Sequence, residues 1–425
     1  MLRSRRKFIQ QFLTGTAVIG MSPKLAKAQP SMKGRVIVVG GGFGGATAAK
    51  YIRMWDPDIK VTLIEKNHSF VSCPLSNRVI SGVWDINKIS RDYSALQDRY
   101  GVNIVQDEAV DIDPVSREVV LRSNSKKLSY DKLILAPGVD FSYRELPGLD
   151  TYAARRLAPH AWKAGAETML LRQQIENMPD GGVVAISIPL SPYRCPPGPY
   201  ERACQIAYYL KENKPRSKLI VLDANENIQS KKTLFSKAWA DRYPGIIDYV
   251  PLSRLIDVDT EKMTLKLDFE DVKADVVNVI PPQEAGSLAK KNGLVAQRGK
   301  WCEVDFLTYE SKIVSDIHVI GDSVLASPKM PKSGHMANQH AKVCAAAICA
   351  LIDGRSPNPE PMLSNTCYSF VGLHEVIHVA AVYAYDSSKK TMAIVPGASG
   401  TSEANEAESL YAEAWAHNIW ADMLA

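Results

Sequence analysis

Arg35-Val36-Ile37-Val38-Val39-Gly40-Gly41-Gly42-Phe43-Gly44-Gly45 decides the fold. A short apolar run rich in β-branched residues reads as a strand buried on both faces. Gly40, Gly42 and Gly45 then follow as G-x-G-x-x-G, and Ala46 to Met54 reads as a helix. The first glycine permits the tight turn, the second lets the backbone approach a pyrophosphate, and the third lets helix and strand pack closely. The helix start adds free N–H groups and the positive end of its dipole. A second strand, Val61-Thr62-Leu63-Ile64, ends at Glu65, twenty residues after Gly45, where a carboxylate accepts hydrogen bonds from an adenosine ribose.

Further along, Lys132-Leu133-Ile134-Leu135 reads as a strand closed by Ala136-Pro137-Gly138, and Ile317-His318-Val319-Ile320 as one entering Gly321-Asp322. A late strand ending in Gly-Asp places an aspartate near ribityl and pyrophosphate groups, which points to FAD over NAD. Asn103–Val105 and Glu118–Leu121 read as short strands of a meander, and 155–178, 200–212 and 334–352 as helical. Gly182–Ile188, the 200–212 helix and Lys218–Asp223 form a second β-α-β pattern. Its loop, Pro189-Leu190-Ser191-Pro192-Tyr193-Arg194-Cys195-Pro196-Pro197-Gly198-Pro199-Tyr200-Glu201, is built of prolines, which lack an N–H and fix φ. Such a loop does not cradle a second pyrophosphate, so nicotinamide is not the expected electron partner.

The expected architecture is α/β: two Rossmann-like three-layer domains, the FAD domain discontinuous, plus a C-terminal α+β domain. The expected boundaries are 33–147 and 285–352 for the FAD domain, 148–284 for the second domain and 353–425 for a C-terminal interface domain. The last of these ends in an acidic, helix-like stretch from Glu403.

The chain has 425 residues, 46% hydrophobic and 23% charged, a composition of folded globular domains and not of disorder. Its net charge of +5 is local. Residues 1–28 hold Arg3, Arg5, Arg6, Lys7, Lys24 and Lys27 and no acid, and the remainder carries 45 basic against 46 acidic residues. Nucleic-acid binding has no support there. Ser4-Arg5-Arg6-Lys7-Phe8-Ile9, an apolar stretch from Phe12 to Met21, and Ala26-Lys27-Ala28 are ordered as a twin-arginine export signal, which places the mature chain in the periplasm. No other apolar run is long enough to cross a bilayer, so no transmembrane segment is expected in the mature chain.

Seven cysteines remain to be explained: Cys73, Cys195, Cys204, Cys302, Cys344, Cys349 and Cys367. Phe70-Val71-Ser72-Cys73-Pro74-Leu75-Ser76-Asn77, the Tyr193–Ala203 loop and Leu363-Ser364-Asn365-Thr366-Cys367-Tyr368-Ser369 resemble the flavoprotein subunit of flavocytochrome c sulfide dehydrogenase. Ile280-Pro281-Pro282-Gln283 and Pro331-Lys332-Ser333-Gly334 are similar to it as well. The resemblance runs from about Gly34 to the C-terminus and is weakest beyond Gly372. The family belongs to the glutathione-reductase-like flavoproteins, with the sulfide:quinone reductases.

The resemblance implies a covalent FAD on Cys73, a redox disulfide of Cys195 and Cys367 beside the flavin, and a proton-handling carboxylate at Glu201. It implies Lys332 and the helix from Gly334 at the flavin's pyrimidine edge. Hydrosulfide attacks a disulfide, leaving a persulfide on one sulfur and a thiolate on the other, and two electrons pass on to FAD. The residues themselves are also compatible with a plain buried thiol at Cys73, a structural disulfide between Cys195 and Cys367, and a Glu201 favoured by its helix dipole. Cys204, Cys302, Cys344 and Cys349 read as core, His335 and His340 as packing or polar surface, and no metal site is expected. No C-x-x-C-H occurs, so a separate c-type cytochrome subunit is the implied electron acceptor and sulfide the implied substrate. Two rivals stand beside it, a sulfide:quinone oxidoreductase and a non-catalytic flavoprotein subunit of a sulfur-oxidation complex. Residues 403–425 contain Glu403, Glu406, Glu408, Glu413 and Asp422 and no Lys or Arg, a poor match for an anionic membrane surface.

Overall fold

The computed structural model describes residues 32–425, and the export segment read over 1–28 lies outside the described residues. Gly34–Val39 forms the centre of a five-stranded parallel sheet. Its neighbours are Ile59–Glu65 on one side and Lys132–Leu135 on the other, with Asn103–Gln106 and Ile317–Val319 at the edges. The edge strand Ile317–Val319 comes from far along the chain, so the first α/β domain is discontinuous. Val36, Ile37 and Val38 are buried in one hydrophobic core with residues of the helices Phe43–Trp55 and Gly334–Ile352 and of a three-stranded antiparallel meander.

Asn103–Gln106 does not belong to that meander, as the sequence suggested. It pairs in parallel with Ile59–Glu65, and the meander is Ala109–Asp113, Glu118–Leu121 and Lys127–Ser129. A four-residue strand has no periodicity long enough to declare its partner, so the pairing is a tertiary choice.

The second domain holds a four-stranded parallel sheet in the order Ile247–Val250, Lys218–Asp223, Val183–Ile188, Val276–Val279. A helix expected over 155–178 is two, Tyr152–Leu157 and Ala166–Asn177. Pro159 disfavours helical backbone at Ala158, which sits at φ −124°, ψ 66°, and Gly165 opens the second helix at φ +140°. The two domains are laced by the antiparallel pair Val139–Phe141 and Gln283–Ala285.

The C-terminal unit is an antiparallel sheet of Met362–Phe370, Val376–Asp386 and Thr391–Asn405, followed by the helix Glu406–Leu424. The acidic stretch becomes helical three residues later than Glu403, where the Asn405 side chain caps by accepting from the Glu408 N–H. Its acids are partly engaged: Asp422 pairs with Lys342 at 2.8 Å, and Glu408 accepts from His378 at 2.7 Å. Among the described residues no helix is long and apolar enough to cross a membrane.

Candidate functional site

A cavity of about 450 Å³ runs from the glycine loop to the C-terminal sheet. At the loop, Gly40 has φ +97°, and a Cβ there would stand 2.5 Å from the Ala136 carbonyl oxygen. A Cβ on Gly45 would stand 1.7 Å from the Gly40 carbonyl oxygen, so this glycine serves close packing and does not itself line the cavity. Gly42 differs: a Cβ there meets nothing within 4 Å and would project into open space beside the first turn of Phe43–Trp55. That turn has no side-chain cap and no acidic residue, which leaves its N–H groups for an anion. Glu65 accepts from the Gly41 N–H at 2.6 Å on one oxygen and from the Asn67 N–H at 2.8 Å and side-chain amide at 2.7 Å on the other, which leaves one lone pair of the first oxygen for a ribose.

Toward the middle, Ala136 and Gly138 line the wall, and Gly138 and Gly321 adopt φ of +69° and +74° that glycine permits. Asp322 lines the cavity with its Oδ1 buried and unpartnered, and burial pushes its carboxyl up. An orphaned acceptor of this kind fits a polyol hydroxyl. Gly334 admits the Phe43 ring, which would lie 2.8 Å from a Cβ there, and Ser333 caps the helix Gly334–Ile352 by accepting from the Met336 N–H at 3.1 Å. Glycine cradle, helix N-termini, ribose acceptor and orphaned aspartate together fit an FAD laid along the cavity.

Lys332 is a correction. Its ammonium turns away from the cavity, donating to the Asp322 carbonyl at 3.1 Å and to the Val324 carbonyl, 3.6 Å from the Trp301 ring centroid. Two carbonyls and an aromatic face satisfy the cation better than the apolar wall does. His335, expected to be packing or surface, does line the cavity; burial holds it neutral, down to about 4, and its Nδ1 accepts from the Thr366 N–H at 3.0 Å. His340 is buried and accepts from the Gly321 N–H at 3.3 Å.

The far end of the cavity gathers three cysteines and a carboxylate. Cys73, Cys195, Cys367 and Glu201 all line the same cavity. They arrive from a short loop, the proline-rich loop, the strand Met362–Phe370 and the helix Gly198–Asn213. Cys195 sits at φ +57°, its N–H donating to the Lys332 carbonyl at 2.7 Å, which turns the loop inward. Burial pushes its thiol up to about 12, and nearby Cys367 and Glu201 add to the effect. The Cys367 thiol is pushed up by burial too, but is opposed by the Lys231 charge and by the Asn365 amide, which donates to Sγ at 3.3 Å. All seven cysteines are free in this structure, and Cys204, Cys302, Cys344 and Cys349 are buried in the core.

Glu201 is buried, and burial raises its carboxyl above the ordinary range. Its two oxygens accept from the Phe370 N–H at 2.9 Å and the Asn77 amide at 2.8 Å. Asn77 in turn accepts from Arg202 at 3.1 Å. Lys231, Arg194, Trp162 and Asn77 have roles the sequence did not announce. Lys231 donates to the Cys367 carbonyl at 2.8 Å and the Ser369 hydroxyl at 2.7 Å; burial lowers it to about 8. Arg194 donates to the Cys73 sulfur at 3.1 Å, and Trp162 closes the wall between Arg194 and Arg202. Arg194 and Asn77 lie inside motifs already singled out, whereas Lys231 carries no local signal. Among the described residues no group of His, Cys, Asp and Glu could hold a metal ion.

Family models match three stretches of the chain: a pyridine nucleotide-disulphide oxidoreductase domain over 34–169, the central domain of the sulfide dehydrogenase (flavocytochrome c) flavoprotein chain over 168–281, and the flavocytochrome c sulphide dehydrogenase flavin-binding domain over 359–424. The sulfide dehydrogenase flavoprotein chain of Chlorobaculum thiosulfatiphilum is 64% identical over 45 residues, 94% of that sequence and 11% of this one. The sulfide-quinone reductase of Aquifex aeolicus is 30% identical over 188 residues, 44% of this chain and 42% of that one. A crystal structure of the sulfide:quinone oxidoreductase from Aquifex aeolicus superposes with a TM-score of 0.73 at 20% identity, covering 92% of this chain and 91% of that chain, and shares the fold.

Proposed function

The chain belongs to the flavoprotein family of flavocytochrome c sulfide dehydrogenase, and from that premise we propose that it oxidises hydrosulfide at a Cys195–Cys367 redox disulfide and passes the electrons, through FAD tethered to Cys73, to a separate c-type cytochrome. The twin-arginine pattern at Ser4–Ile9 supports a periplasmic site of action.

Cys195, Cys367 and Glu201 share one cavity with Cys73, and that juxtaposition supports the assignment above all else. Gly40, Gly42, Glu65, Ala136, Gly138, Gly321, Asp322 and the start of the Gly334–Ile352 helix would hold the dinucleotide. Bound there, FAD supplies a two-electron acceptor that can release its electrons singly.

The contacts at the two sulfurs favour one direction for the proposed chemistry. Hydrosulfide attacks one sulfur of the disulfide, the S–S bond breaks, and the other sulfur leaves as thiolate. Burial raises both thiols and the Lys231 charge opposes it at both, but the Asn365 amide donates to the Cys367 sulfur at 3.3 Å, whereas among the described residues no donor meets the Cys195 sulfur. The better leaving sulfur is therefore Cys367, and the persulfide forms on Cys195. Glu201, raised by burial, accepts the persulfide proton. A second hydrosulfide takes the outer sulfur of the Cys195 persulfide as polysulfide, the Cys195 and Cys367 thiolates re-form the disulfide, and the two electrons released would pass to the bound flavin.

Anaerobic titration of the purified chain with sulfide tests this. Flavin bleaching that is lost in Cys195→Ser and in Cys367→Ser, with electrons recovered on added cytochrome c, is the expected outcome. Electrons recovered on a short-chain quinone alone would reassign the acceptor. Flavin that does not bleach would leave a non-catalytic subunit.

A further inference from the structure

We infer that Arg194 is the catalytic group that activates Cys73 for its bond to the flavin, an assignment that rests on Cys73 being the attachment point. Arg194 Nη1 donates to the Cys73 sulfur at 3.1 Å, and the Ala164 N–H donates to the same sulfur at 3.5 Å. Nη2 is anchored on the Trp162 carbonyl, the guanidinium carbon lies 5.6 Å from the Trp162 ring centroid, and Nε is buried without a partner. The anchors fix the fork, and the Nη1 contact alone meets a reacting atom.

The nucleophile in a thioether-forming attack is the thiolate, and a directed cationic N–H beside the sulfur stabilises the charge that develops there. The S–H bond and one C–H bond of the flavin's 8α-methyl group break, and one C–S bond forms. Two protons leave to water. The electron pair gained by the flavin is removed by the acceptor of turnover or by dioxygen.

Other nearby cations are committed elsewhere. Arg202 spends its donors on Asn77, Asn278 and the carbonyls of His160 and Ala161. Lys163 pairs with Asp140 at 2.9 Å. The loop geometry gives Arg194 its position, because its N–H donates to Gln283 at 2.8 Å and the next residue, Cys195, turns at φ +57°. Adjacent residues of one loop thus serve two tasks, one attaching the flavin and one meeting the substrate.

The full chain is prepared as wild type, Arg194→Gln and Arg194→Lys, stripped of loose flavin and incubated with FAD. Flavin held under native conditions is read by absorbance. Flavin held after acid is read as intact polypeptide mass over time. Arg194→Gln, which keeps a donor for the Trp162 carbonyl, is expected to bind flavin natively and attach it about tenfold or more slowly, the loss typical of a charge-assisted contact. Arg194→Lys restores charge without the fork and recovers part of the rate. Equal rates in Arg194→Gln and wild type would overturn the inference, as would a Lys variant no faster than the Gln variant. Wild-type flavin that acid releases overturns the attachment reading itself, a result separate from either.

Discussion

The Phe370 N–H donates to the Glu201 carboxylate at 2.9 Å, tying the first turn of the helix Gly198–Asn213 to the strand that carries Cys367. The acid thereby sits between the two sulfur-bearing segments, buried and with its carboxyl raised.

Glu201 is therefore expected to set an acid limb. A raised carboxyl becomes a base only as pH climbs through its shifted value, so sulfide-dependent bleaching rises with pH across a midpoint above the ordinary 4.5. Glu201→Gln flattens that limb. The stability sign is opposite: a raised acid stabilises the fold fully below its unfolded value, and that contribution fades as pH rises through the folded value. Chemical denaturation at several pH values should show wild type losing ground to Glu201→Gln as pH rises.

The glycine loop separates packing from binding. In Gly45→Ala the new methyl meets the Gly40 carbonyl at 1.7 Å, and the fold should lose about 1–3 kcal/mol or more. In Gly42→Ala the methyl meets no protein atom within 4 Å, so stability holds while flavin affinity falls. Thermal melts of the flavin-free chain and flavin titrations distinguish the two. A Gly42→Ala that binds flavin as wild type does would remove the loop from the phosphate site.

Gly198 is held to its size by the Trp162 ring and the Cys195 sulfur. A Cβ there would stand 2.8 Å from the Trp162 ring and 3.0 Å from the Cys195 sulfur. Gly198→Ala should keep its flavin and displace Cys195, lowering the sulfide bleaching rate by roughly tenfold or more, as small misplacements of reacting atoms do.

Cys73→Ser should bind flavin through the same cradle and release it on acid denaturation. Yellow polypeptide after acid in this variant would place the bond elsewhere.

Much of the architecture was legible because its signals are local. The Val36–Val39 run, the Gly40, Gly42 and Gly45 spacing and Glu65 lie within one β-α-β unit, so backbone sterics alone determine them. The prolines around Cys195 likewise announce a loop, and that loop lines the cavity. The break at Pro159 was written in the sequence too, though periodicity obscured it.

What joins distant segments was decided only by tertiary packing. Lys231 reaches the Cys367 carbonyl across 136 positions, and nothing near it in sequence marks it as a neighbour of that cysteine. Arg194 meets Cys73 across 121 positions. Lys332 sits inside a motif yet turns onto Trp301 and two backbone carbonyls. A glycine's spacing constrains the backbone that carries it, so sequence suffices. A long charged side chain goes wherever desolvation costs least and donors find acceptors, and those acceptors exist only once the chain has folded.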